Sequence, residues 1–503
     1  MQKTPTNDVQ ALKKQLSEQK KLTDHYKKEV SYLEDLLKIS RHKMFGPSTE
    51  KYPDQTPLFN EIEEEIHKEE KETSDSFVKG HHRRRGKRRP LPECLEREEV
   101  VIELSEEERI CPKDGSRLEE IGEETSEQLD IIPAKIKVIK TIRKKYACKT
   151  CEETILTAPN PAKPIPKSIA SAGLLAHIAT SKYVDGLPLY RLEKVFYRSG
   201  IDINRSSMAR WMVKISELFQ PILNLLQDDL LEGPVIHADE TRVQVLKEAN
   251  KKASSNSFMW VRCRSGPDYP IVLFDYDPSR SMTAANRLLS GFKGYLQVDG
   301  YGGYNSVCDG IDVKRVGCFA HARRYFHDAI KGERKSGGKA GEALSFIKKL
   351  YKIEKHCKGK SSDEIKAIRI SESQPVLDEF NDWRLRIIDT IPPKTLTGKA
   401  LAYLDSEWPN LSRYVEDGHV AIDNNFAENA IRPFVVGRKA WLFSDSVNGA
   451  NASAAIYSIV ETAKANKIEP YQYLRFLLSE IPKADSLEDY EKLLPNPYKK
   501  TLG

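Results

Sequence analysis

Cysteine is scarce, with eight in 503 residues, and that density excludes a disulfide-stapled scaffold and points to a reducing compartment. Long apolar runs are missing, since none approaches the roughly 18 residues that a membrane span requires. The first forty residues carry too much charge for a secretory signal. The expectation is a cytoplasmic protein with no membrane partner. A large excess of one charge is also absent: 80 Lys and Arg oppose 74 Asp and Glu and leave +6. Overall basicity is therefore a weak pointer to a polyanionic partner, and local clusters carry more information. No internal repeat is evident.

What is present is 39% hydrophobic and 31% charged residues, enough for a sizeable core and incompatible with wholesale disorder. At roughly 100 to 200 residues per domain, the length predicts three or four units. In residues 1–52, Val9, Leu12, Leu16, Thr23, Tyr26, Val30, Leu33 and Leu37 fall on a and d sites of a heptad frame, with Gln19 as a polar d residue. The pattern predicts an N-terminal coiled coil and a homo-oligomer; a single amphipathic helix packed on its own domain is the alternative. Residues 53–89 form a charged linker with a glutamate-rich stretch at 61–72. Its basic run, Arg83, Arg84, Arg85, Lys87, Arg88 and Arg89, suits phosphate contact by counterion release, which adds affinity without sequence choice.

Residues 90–166 hold short β-like runs, Glu99 to Leu104 and Ile136 to Ile142, flanked by cysteines, as in a zinc-ribbon-like module. The close pair Cys148 and Cys151 suits a metal better than a bridge. Residues 167–232 are helical in pattern: Leu189 to Phe196, then Arg198 to Ile201 with its glycine, then Ser206 to Ile215 resemble helix, turn, helix. The second helix could enter a major groove, although such pairs are also common scaffold. From Gly233 the pattern turns to strands at Val235 to Ala238, Phe258 to Arg262, Ile271 to Tyr276, Tyr295 to Val298 and Arg315 to Phe319. These predict an α/β catalytic domain over 233–451, with a helical insertion at about 322–415 and a C-terminal helical segment at 452–503.

Three acidic residues stand out. Val235 to Asp239 and Tyr295 to Asp299 are each an apolar strand ending in a carboxylate, and strand ends of open α/β sheets converge on a crevice. Adjacent strand residues face opposite sides, so Glu240 should point away from Asp239. The third, Glu428, follows Asp423, which can cap a helix burying Ala427, Ala430 and Ile431. Asn424, Glu428 and Arg432 then share a row, so Arg432 could grip phosphate beside Glu428. An exposed Glu428–Arg432 helix pair is the plainer possibility. Carboxylate oxygens suit Mg²⁺ or Mn²⁺. Two such ions, with Asp239 shared between them, serve both sides of a phosphodiester displacement.

These segments resemble the transposases of the insertion sequence 66 family. The resemblance rests on His42-Lys-Met-Phe-Gly46, Ser126-Glu-Gln-Leu129, Leu187-Pro-Leu-Tyr190, His237-Ala-Asp-Glu-Thr241, Asp299-Gly-Tyr-Gly-Gly303, Ala320-His-Ala-Arg-Arg324, Asp423-Asn-Asn425, Arg432-Pro433 and Gly437-Arg-Lys439, in order along nearly the whole chain. It implies a multidomain α/β protein with a ribonuclease H-like catalytic core and a DDE triad at Asp239, Asp299 and Glu428. The separations are 299 − 239 = 60 and 428 − 299 = 129 residues. It also implies a DNA transposase that binds terminal inverted repeats and target DNA, with small accessory proteins. His321, Arg323 and Arg324 could present donors to phosphate, although His321 also suits a buried structural role. Arg438, Lys439 and Trp441 could hold DNA, or pack on the glutamate helix. The family's zinc module carries two Cys-x-x-Cys knuckles. Here Cys148 and Cys151 are intact, whereas Cys111 is followed by Asp114 where the second cysteine belongs. Zinc accepts a carboxylate oxygen beside sulfur. The competing expectation is a DNA-binding repressor or inactive descendant, motivated by that lost cysteine.

Overall fold

The structure, a computed structural model, describes residues 136–147, 155–266, 269–332 and 338–496, with a few isolated positions before them. The basic run and Cys111, Asp114, Cys148 and Cys151 lie outside the described residues, as does most of the heptad frame. Of that frame, Gln19, Thr23, Tyr26 and Val30 are helical and exposed. The chain divides into two units, Lys71–Asn160 and the remainder.

In the smaller unit, β1 (Lys145–Ala147) pairs antiparallel with β2 (Ile155–Thr157). Arg143 Nε donates to Ala158 O at 2.7 Å and extends the hairpin by one contact. The strand expected at Ile136 to Ile142 is absent. A strand needs a ladder partner, and this stretch has none among the described residues; Val138 and Ile142 are exposed.

In the larger unit, the segment from Pro161 carries four helices first, α1 (Ala172–Tyr183), α2 (Leu189–Arg198), α3 (Arg205–Leu218) and α4 (Gln220–Leu231). The first and third start on side-chain caps, Ser171 and Asn204. Gly200, at φ +75°, ends α2 with the left-handed turn that glycine adopts at low cost, and the Ile201 amide bonds Phe196 O at 3.0 Å. The helix, glycine turn and helix read from the sequence are present.

All five expected strands form: β3 (Val235–Lys247), β4 (Asn256–Arg264), β5 (Ile271–Asp277), then α5 (Met282–Leu288), β6 (Gly294–Gln297) and β7 (Val313–Val316). Their order is β5-β4-β3-β6-β7, antiparallel from β5 to β3 and parallel from β3 to β7. Strand β3 continues to Lys247, well past its expected end, because Gln244 to His237 ladder against β4. Helices α6 (Phe319–Gly332), α7 (Lys339–Cys357), α8 (Ser362–Ile368), α9 (Gln374–Ile387) and α10 (Leu396–Leu411) form the insertion. They share a second core around Phe326, Ile347, Phe380 and Leu404. The expected strand to Phe319 stops at Val316, since Phe319 already begins α6.

After α11 (Asn425–Trp441) comes β8 (Ser444–Ser446), a short strand on the far end of β3 that was not expected. Then follow α12 (Val447–Ala465), α13 (Pro470–Glu480) and α14 (Leu487–Lys492). Helix α12 is buried along most of its length and covers the outer edge of the sheet. Ser458 Oγ and Thr462 Oγ1 receive the Phe274 and Val272 amides of β5 at 2.7 and 3.0 Å. Asn466 Nδ2 reaches Pro270 O at 2.8 Å. The unpaired backbone of an edge strand invites pairing with other chains, and these side chains occupy it.

Candidate active site

Parallel register brings the two aspartates together. His237 of β3 pairs with Gln297 of β6. Asp239 and Asp299 each lie two residues further on, at the C-terminal end of β6, where open α/β sheets carry their sites. Gln297 in turn pairs with Val316 of β7, so Cys318, two residues beyond, reaches the same edge. Strand β3 does not end at Asp239 as expected; it runs through the site with Asp239 opposite Val261. Arg315 holds the turn: Nη2 donates to Asp299 O at 2.7 Å and lies 3.3 Å from Glu407 of α10. Gly300 follows because a β-carbon there would stand 2.7 Å from the Tyr403 ring of α10.

Glu428 arrives on the first turn of α11, and Asn424 fixes where that turn begins. Asn424 is 1% exposed. Its Nδ2 donates to Ala238 O at 2.9 Å, and its Oδ1 lies 3.2 Å from His237 Nδ1. Its amide donates to Cys318 Sγ at 3.2 Å. One residue therefore joins the glutamate helix to β3 beside Asp239 and to the start of α6. Asp423 does not cap α11 as expected, because Asn424 occupies the cap position. Asp423 instead accepts the Asn425 amide at 3.1 Å and the Tyr351 hydroxyl at 2.8 Å.

Asp239 and Glu428 are both driven toward the protonated form by burial and by neighbouring carboxylates, Asp299 among them. Burial, then Glu240 and Asp299, push Asp239 up to about 8. Burial and then Asp239 push Glu428 up to about 9, with Arg324 opposing. Glu428 Oε1 is 3.5 Å from His321 Nδ1, and Oε2 is 3.8 Å from Arg324 Nη2. Neither His321 Nδ1 nor Glu428 Oε1, both buried, makes a well-formed hydrogen bond. Burial and the Arg324 charge lower His321 to about 4, so its ring is neutral near pH 7. Buried carboxyl groups whose ionisation is suppressed, one of them with an oxygen that accepts no hydrogen bond, suit a divalent cation.

Glu240 faces away from Asp239, as expected, but it is not solvated. Its side chain is 1% exposed, bonded by the Tyr304 hydroxyl and by Arg280. Arg280 lies against the Tyr301 ring, 3.6 Å from its centroid, and 3.9 Å from Asp299 Oδ2. The guanidinium thus neutralises Glu240 while standing at the edge of the acidic cluster.

Comparison with known proteins decides the family. The model described as Transposase IS66 family matches residues 167–452, more than half of the chain. The chain belongs to the IS66 transposase family. Further IS66 matches are the zinc-finger binding domain of transposase IS66 at 108–152 and the IS66 C-terminal element at 458–496. Residues 32–100 match a model described as Transposase C of IS166 homeodomain. Two relatives from Sinorhizobium fredii (strain NBRC 101917 / NGR234) are the uncharacterized proteins y4jD and y4qI. The first is 32% identical over 80% of this chain and 81% of its own length; the second is 30% identical over 93% and 89%. No solved structure matches. Membership in a transposase family makes DNA the partner, and among the described residues no helix is long and apolar enough to cross a membrane.

In this IS66 chain the other basic candidates separate. Arg324 stays at the site, partly exposed. Arg323 is 6% exposed, and its charge acts on buried Tyr351. It therefore faces the interior of the insertion and corrects the expectation of a DNA contact: one helix step turns it roughly 100° from Arg324. Arg432 does not pair with Glu428; it lines a cleft with Tyr183, Asp185 and Lys464. Arg438 Nη1 reaches Thr241 Oγ1 at 3.4 Å, and Lys439 is exposed. Trp441 packs edge-on against Phe434, with Lys182 Nζ 5.8 Å from its ring. Sequence reasoning missed Cys318, Arg280 and the clamp made by Asn424. Arg280 and Cys318 carry no local pattern, whereas the Asp-Asn-Asn run already drew notice to Asn424.

Proposed function

We propose that this chain is a DDE-type DNA transposase that cleaves and joins strands at transposon ends, with Asp239, Asp299 and Glu428 holding two divalent ions, Mg²⁺ or Mn²⁺. The observation that carries the reading is the β3–β6 register, which sets both aspartates two residues past one ladder pair, beside a glutamate clamped through Asn424. The suppressed ionisation of Asp239 and Glu428, from burial and neighbouring carboxylates, supports a dication in the same place. When bound, such ions supply an activated water or 3′-hydroxyl and stabilise the leaving oxygen. Arg324 stands beside Glu428 to receive a phosphate oxygen, and Arg280 keeps Glu240 paired and out of the ligand set.

The mixed sheet with its helical insertion supports a ribonuclease H-like core over 233–451. The pair α2 and α3 supports a helix-turn-helix reading of 167–232. The zinc-finger match supports structural zinc at Cys111, Asp114, Cys148 and Cys151. The reading also includes phosphate contact by Arg83 to Arg89, self-association through the N-terminal helix so that two ends meet, small accessory proteins and a cytoplasmic site of action. The test is cleavage of labelled terminal-repeat DNA with Mg²⁺. Asp239→Asn is expected to abolish cleavage while end binding persists; full cleavage by that variant overturns the assignment.

A further inference from the structure

Cys318 has no part in the proposed reaction, yet it lies at the same sheet edge as the acidic residues. Cys318 Sγ, a His321 ring nitrogen and a Glu428 oxygen all lie within 4.8 Å of one another. The His321–Glu428 side of this triangle is 3.5 Å, already the separation of about 3.5 Å that two ligands adopt on tetrahedral zinc, given bonds of about 2.0–2.3 Å. The His321 and Glu428 atoms concerned are buried and lack well-formed hydrogen bonds. The Asn424 amide donates to the Cys318 sulfur, the outer-shell contact that orients and steadies a metal-bound thiolate. Sulfur and imidazole select borderline or soft ions over Mg²⁺.

We propose that Cys318, His321 and Glu428 form a second cation site, selective for thiophilic divalent ions such as Zn²⁺, Co²⁺ or Cd²⁺, that competes with the oxygen site for Glu428. On binding, a metal–sulfur bond replaces the Cys318 S–H bond, and the proton leaves to solvent; no electron transfer is involved. Three protein ligands leave one tetrahedral position for water. Glu428 held in this set is withdrawn from Asp239 and Asp299, so Zn²⁺ inhibits. The site itself stands on the geometry above, whereas the inhibition rests on the proposed function.

The experiment is Co²⁺ titration of the full chain, read by thiolate-to-cobalt charge-transfer absorbance. Cys111→Ser/Cys148→Ser/Cys151→Ser serves as background to remove the thiols of the zinc-finger segment. In that background Cys318→Ser, which keeps an acceptor for the Asn424 amide, is expected to lose the remaining band. His321→Gln, a partly exposed position, is expected to keep the sulfur band with its ligand-field bands shifted and its affinity reduced, and it serves if Cys318→Ser does not fold. Alongside, Zn²⁺ inhibition of Mg²⁺-supported cleavage should need more Zn²⁺ in Cys318→Ser than in its parent. A band that depends on Cys318, in protein that never cleaves DNA, upholds the site and overturns the proposed function. Cleaving protein with no Cys318-dependent band, or equal Zn²⁺ sensitivity in both proteins, overturns the second site.

Discussion

Replacing Asp239 with asparagine should stabilise the metal-free protein while removing its response to Mg²⁺. In the fold the Asp239 carboxyl is pushed from 3.8 up to about 8, so the folded state holds a proton that the unfolded chain has released. With the folded value raised, this group's contribution is fully present below about pH 4 and is lost progressively as pH rises to about 8. At about 1.4 kcal/mol per unit, the full shift would be worth about 5–6 kcal/mol. Glu428 shares the same repulsion, and water at the partly exposed edge screens it, so about 2–3 kcal/mol is the share expected for Asp239 alone. Asparagine keeps an oxygen for the Glu240 amide, which bonds Asp239 Oδ1 at 2.8 Å. At about 2–4 °C per kcal/mol, Asp239→Asn should melt about 4–12 °C above wild type at pH 8 in chelator, and the gap should narrow toward pH 5. Saturating Mg²⁺ should close the gap, since 100-fold excess over Kd adds about 2.7 kcal/mol to a protein that binds it. Differential scanning calorimetry at pH 5 and pH 8, with chelator and with Mg²⁺, reads all four conditions. A variant that melts below wild type in chelator at pH 8, or that gains as much as wild type from Mg²⁺, refutes the crowding of carboxylates.

Two further substitutions test the supports of the site. Asn424→Ala strips Ala238 O and His237 Nδ1 of their buried partner; at about 1–3 kcal/mol per orphaned group it should cost about 2–6 kcal/mol in denaturant titration, and cleavage should fall further than end binding. Arg280→Ala leaves Glu240 buried with only Tyr304. Because Arg280 is itself 37% exposed, the loss should be about 2 kcal/mol, below the usual figure for a broken buried pair. Adding Glu240→Gln should recover part of it, and a double-mutant cycle showing strict additivity would count against the pairing.

Much of this architecture was legible in local pattern. Apolar runs of β-branched and aromatic residues marked five strands, and the change to helical spacing marked the insertion. The glycine after α2 and the caps of α1 and α3 obey rules that act over a few residues. Errors occurred where a distant partner decided the outcome. Ile136 to Ile142 has strand composition but no ladder, and β3 extends to Lys247 because β4 pairs with it. Asp423 has the chemistry of a helix cap, yet Tyr351 of α7 and the Asn425 amide claim its oxygens. Arg323 looks like a surface cation and is buried, because the insertion folds over that face of α6.

The sequence by itself determined the element order, the family and which three carboxylates to consider, since each is written in residues next to one another. It also assigned Glu240 to the face opposite Asp239, which the two-residue period of a strand requires. Only the tertiary structure decided that those carboxylates meet, that Asn424 locks the glutamate helix to a strand 186 residues away, and that Cys318 and His321 close on Glu428. Contacts between such distant segments depend on sheet register and helix packing, which periodicity along the chain does not encode.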